Sequence, residues 1–165
     1  MRLFVCAAVA LGLGLGGPAQ AQTRPNQARA LAWDVCRSFV DGASAQAAND
    51  SLVAQGFTFE SLPGFVMGYG WEAHRHLVTI ILVGEGADPA ECGVMSAGPD
   101  FDDAAMKAAA REFATSANAV VATDTANAFH ARWGSRTITL DRLDDRAWRL
   151  RIGRPEGVRS DSHAQ

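Results

Sequence analysis

Lysine is almost missing from this chain: of its 15 basic residues only Lys107 is lysine, and the rest are arginine. With 18 acidic residues the formal net charge is −3, so the basic excess that general nucleic-acid binding requires is also wanting. There are three cysteines and no Cys-x-x-Cys spacing, which removes the usual dithiol redox motif. No serine stands in a Gly-x-Ser-x-Gly turn, and no cysteine is paired by motif with a histidine for acyl transfer. Gly68-Tyr69-Gly70 is no phosphate loop, because it lacks a third glycine, a following lysine and a helix to present its amides. It reads instead as a bend. These absences leave no catalytic motif, and no cofactor is expected.

What is present begins with an export leader. Arg2 gives a positive start, Leu3 to Leu15 form an apolar run, and Gly16-Gly17-Pro18 ends any helix before a small-residue site at Ala19-Gln20-Ala21. Cleavage after Ala21 follows. The run is shorter than the roughly 20 residues needed to cross a bilayer, and Cys6 lies inside it rather than after it, which excludes a lipid-attachment box. The expected product is periplasmic or secreted, with no stable membrane insertion after processing.

Removing 21 of 165 residues leaves 144, about the size of one domain with a single core. Only Cys36 and Cys92 survive processing. In an oxidising compartment two such thiols are expected to pair, closing a loop whose restriction stabilises the fold by roughly 4 kcal/mol on the chain-entropy model.

Periodicity divides the mature chain further. Residues 22–27 are polar and read as a flexible start, followed by one α+β domain over 28–154 and a disordered tail over 155–165. Ala28, Leu31, Ala32, Val35, Cys36, Phe39 and Val40 recur at three- and four-residue steps, which predicts a helix that buries Cys36 and stops at Gly42. A shorter helical piece is predicted from Asp50, as N-cap, to Gly56. β character then runs from Phe57 to Ala97, with glycines disturbing a strand near Phe65 to Trp71. The clearest strand is His76 to Val83, and another covers Glu91 to Ser96.

Asp100, Asp102 and Asp103 open a second helix whose buried face carries Met106, Ala110, Phe113 and Ala114. Three short strands follow: one at Ala119–Thr123 or Phe129–Trp133, then Arg136–Leu143 and Ala147–Ile152. In the last, Trp148, Leu150 and Ile152 oppose Arg149 and Arg151. The predicted fold is therefore α+β, an antiparallel sheet of about five to six strands with two main helices on one face. Its order is α(α)βββ-αβββ with one disulfide, and its two halves resemble each other in element order. A short echo, Cys36-Arg37-Ser38-Phe39 against Ala110-Arg111-Glu112-Phe113, points the same way.

Three groups of residues are candidates for function. Glu72, His74 and His76 would share one side of an extended segment, where two imidazoles and a carboxylate suit zinc or copper, with His130 as a further ligand. His163 falls in the tail. Trp71, Arg149 and Arg151 would form a binding surface, since tryptophan and arginine carry much of the energy of interfaces. The carboxylate pairs Asp102-Asp103 and Asp144-Asp145 are explained by helix capping and turn formation. Together these features suggest an exported, non-enzymatic module that binds a protein or an envelope component, with metal binding at the histidine pair as the alternative.

Overall fold

A computed structural model of the chain describes residues 24–61, 66–84 and 91–153. The leader, the expected cleavage site and the tail from 155 onwards lie outside the described residues. Among those described, three helices and eight strands occur in the order α1 (Pro25–Val40), α2 (Ala45–Val53), β1 (Thr58–Ser61), β2 (Val66–Ala73), β3 (His76–Val83), β4 (Glu91–Ala97), α3 (Asp103–Ser116), β5 (Val120–Asp124), β6 (Ala128–Trp133), β7 (Arg136–Asp144) and β8 (Ala147–Gly153). No helix among them is long and apolar enough to cross a membrane.

The α+β class, the antiparallel sheet and the bridge are as expected, but the strand count is corrected from five or six to eight. All eight strands form one sheet in the order β1-β2-β3-β4-β8-β7-β6-β5, and each neighbouring pair is antiparallel. The two alternatives Ala119–Thr123 and Phe129–Trp133 are both strands, paired as β5 and β6. β1 is only four residues long and β5 is an exposed edge, so neither carries the apolar alternation that marks a half-buried strand.

Each half thus runs from helix into a four-stranded meander, and the meanders meet through β4 and β8. Val94 lies opposite Leu150 at that junction.

α1 begins three residues before the apolar period does. Pro25 at the first helical position has its φ preset, and the Gln27 side chain accepts a 3.2 Å hydrogen bond from the Arg24 N–H, so 25–27 of the expected flexible start are helical. The helix buries Ala28, Ala32, Trp33, Val35, Cys36, Phe39 and Val40, and Gly42 follows its end at φ +106°. α2 starts earlier than expected, capped by the Ser44 hydroxyl, which accepts from Ala47 N at 3.2 Å. Asp50 is an interior residue that instead accepts from Gln46 Nε2 at 2.7 Å. α3 is capped as anticipated, with the Asp102 carboxylate accepting from Ala105 N at 2.8 Å.

One face of the sheet carries Tyr69, Trp71, Val78, Ile80, Leu82, Val94, Phe129, Ile138, Leu140, Trp148, Leu150 and Ile152. These pack with the buried sides of the helices into a single core. Trp33 of α1 meets Phe113 of α3 edge-on at 5.5 Å, and Arg37 Nη1 donates to Ser116 Oγ at 3.0 Å, so the two main helices also touch. Cys36 and Cys92 are bonded with their Cα atoms 5.5 Å apart, within the normal range for a disulfide. The bridge joins α1 to β4 beside the seam between the halves.

β2 is regular rather than bulged or bent. Its pairing with β3 runs unbroken from Val66↔Val83 to Ala73↔His76. Its glycines allow close approach: the Glu60 carboxylate lies in the space that a Cβ on Gly70 would fill.

Candidate binding surface

Antiparallel pairing sends alternate side chains to opposite sides of the sheet, so the register fixes what the second face displays. One row across it reads Glu60, Gly68, Ile81, Gly93, Arg151, Thr139 and His130. The adjacent row holds Gly70, Thr79, Met95, Arg149 and Asp141. No helix among the described residues covers these positions. Ile81, Thr79, Met95, Arg151, Thr139, Asp141 and His130 are half-buried by their neighbours, while Arg149 is exposed.

Asp141 sits among two arginines and a histidine. Its carboxylate is 3.7 Å from Arg149 Nη2, 3.7 Å from Arg151 Nη2 and 3.9 Å from His130 Nε2. The two arginine contacts are ion pairs at long range, weakened by water on an open face. Beside them, Thr139 Oγ1 is shielded from solvent and has no hydrogen-bond partner among the described residues. Arg149 and Arg151 therefore face outward, as the alternation in β8 implies, and they share one carboxylate.

Trp71 does not join them. It is 6% exposed, lies opposite Val78 and belongs to the core on the helix side. The outward neighbour at that point is Glu72. Trp148 is buried and Trp133 is partly buried against the same core, so no tryptophan groove forms with these arginines.

The Glu72, His74 and His76 cluster loses its geometric premise. β2 ends at Ala73 and β3 begins at His76, and the two residues between them, His74 (φ 52°) and Arg75 (φ 70°), make the hairpin turn. Positive φ at both central positions matches the twist of a two-residue hairpin. The three side chains are therefore not in series along one strand.

His76 is buried, its Nδ1 lies 3.2 Å from Ala73 O, and its Nε2 accepts from Asp100 N at 3.3 Å. Its ring meets Phe101 edge-on at 5.7 Å and packs where a Cβ on Gly98 would clash with it. His76 thus ties the β2–β3 turn to the start of α3. His74 is exposed at the turn, and His130 lies on β6, on the other half of the sheet. Among the described residues no group of three or more histidine, cysteine, aspartate or glutamate side chains is placed to hold a metal ion.

One polar cluster was not anticipated. Lys107, 7% exposed, projects from the buried side of α3 and donates to Thr125 O, to Ala128 O at 2.9 Å, and toward Asp124 Oδ1 at 3.4 Å. Arg111 Nε binds the other Asp124 oxygen at 2.7 Å. That hydrogen bond, helped by Lys107, holds the Asp124 carboxyl below its ordinary pKa, against a smaller opposing effect of burial. The ammonium group thus closes the turn between β5 and β6. The signal for it was present: position 107 falls beside Met106 and one turn before Ala110, on the face that must be buried.

Comparison with protein-family models, curated proteins and solved structures finds no match for this chain.

Proposed function

We propose that the chain is exported, processed after Ala21, and acts outside the cytoplasm as a non-enzymatic module that binds a protein or envelope component. The leader grammar of residues 1–21 supports export, and the Cys36–Cys92 bridge suits an oxidising space. The observation that carries the binding reading is the face of the sheet that no helix among the described residues covers. Helices bury one side, whereas the other presents Ile81, Thr79 and Met95 next to Arg149 and Arg151. An apolar centre flanked by arginine is the composition of a contact surface rather than of a solvated sheet face.

The reading is tested by placing a photo-crosslinking side chain at Met95, and separately at Glu112 on the exposed side of α3, in the full chain made by its native cell. A specific adduct from position 95 and none from position 112 is the expected outcome. Equal labelling from both positions, or no adduct from either, would overturn it.

A further inference from the structure

The uncovered face is divided by charge. On the β1–β4 half its outward strand positions carry Glu60, Glu72 and Glu91 and no basic side chain. On the β5–β8 half they carry Arg132, Arg149 and Arg151 against Asp141 and Asp144, with His130 among them. The boundary falls between β4 and β8, where the two similar halves meet. Glu91 stands at that boundary, its side chain lying over Gly153 on β8.

The formal charge at these outward positions is −3 on the first half and, with three arginines against two aspartates, +1 on the second, so the halves are opposite in sign. A two-fold axis parallel to the strands, placed over the β4–β8 seam, lays the acidic half of one copy on the basic half of the other. The operation does so twice, as a closed dimer requires. A two-fold axis across the strands would instead set like charge on like, so the charge pattern selects one orientation.

The area is also sufficient. Eight strands about 4.8 Å apart, each about seven residues long at about 3.3 Å per residue, outline roughly 900 Å². A standard stable interface buries about 800 Å² on each partner. The half-buried Ile81, Thr79 and Met95 lie near the middle of this area, where desolvation contributes most.

We infer that the protein bound at this face is a second copy of the chain, packed sheet to sheet with acidic half on basic half. This rests on the docking reading above and names its occupant.

The mature, oxidised protein is examined by sedimentation, together with two charge-reversed variants. One is Arg149→Glu with Arg151→Glu, and the other is Glu72→Lys with Glu91→Lys. The wild type is expected to sediment as a dimer at concentrations above about 10 µM. Each variant alone is expected to associate at least about tenfold more weakly, because like charges then face each other across the contact. An equimolar mixture of the two variants should regain the dimer, since both contacts of the mixed pair again join opposite charges.

Recovery on mixing also shows that both variants are folded. A wild type that stays monomeric, or variants that dimerise undiminished, would overturn the inference. The crosslink from position 95 separates this result from the broader reading. An adduct of two chains supports the dimer, an adduct with a different protein overturns the dimer but keeps the docking face, and no adduct removes both.

Discussion

The two halves of the molecule repeat one element order and are fastened in different ways. In the first, α1 is bonded covalently to β4 through Cys36 and Cys92, and its buried face packs on the sheet through apolar side chains. In the second, α3 reaches the β5–β6 hairpin with Lys107 and Arg111, which hold Asp124 and the carbonyls of Thr125 and Ala128. A covalent link is indifferent to pH and sensitive to reductant, and an ionic clamp is the reverse. One architecture therefore carries two independent points of failure.

The largest effect is expected from breaking the bridge. Replacing Cys36 and Cys92 together by alanine should lower unfolding stability by about 4 kcal/mol in a denaturant titration. Amide exchange should rise in α1 and β4 before it rises in α3. Equal loss of protection in both halves would show that they do not fail separately.

Next in size is Lys107→Met, which keeps the buried stem and removes the ammonium group. Two carbonyls and a carboxylate each lose one donor, although Asp124 keeps Arg111 and Ala128 O keeps the Thr125 N–H, and we expect about 2 kcal/mol of destabilisation. Faster exchange should be confined to the β5–β6 hairpin, with β2 and β3 unchanged. Because lysine occurs only here, amine-reactive labelling offers a second readout: the side chain should resist modification until the hairpin opens.

The smallest effect concerns acid. The Asp124 carboxyl has a lowered pKa in the fold, so its contribution is complete above the unfolded value of about 3.9 and is lost as pH falls through the lower folded value. Exchange in the β5–β6 hairpin should therefore accelerate below about pH 4 in the wild type. In Asp124→Asn it should already be faster at neutral pH and change less across that window. The bridged half should show no matching step arising from this group.

The same contrast explains how much of the molecule could be read from its sequence. α1 was legible because seven of its apolar residues form one stripe, and α3 because Asp102 caps it and Met106, Ala110, Phe113 and Ala114 share a face. The outward direction of Arg149 and Arg151 followed from strict alternation along β8.

Other features depended on tertiary context. His74 and Arg75 form a hairpin turn without glycine or asparagine, so nothing local announced that the chain reverses there. Trp71 is drawn inward by its register opposite Val78, a relation set by that same turn. β5 is a sheet edge with Val120 60% exposed, and its pattern lacks the half-buried signature. The helical period places Lys107 on the buried face of α3, but the three oxygen atoms that receive its ammonium group come from a distant hairpin and are not encoded locally.

The account turns on the sheet face that no described helix covers. Met67 and Met95 are both half-buried, but Met67 lies on the helix side and Met95 on the uncovered side. Hydroxyl-radical oxidation of the two, followed by mass spectrometry over a range of protein concentrations, compares the faces within one molecule. The account predicts that Met95 becomes protected as concentration rises while Met67 keeps a constant rate. A constant rate at Met95, or equal protection of both, would contradict it.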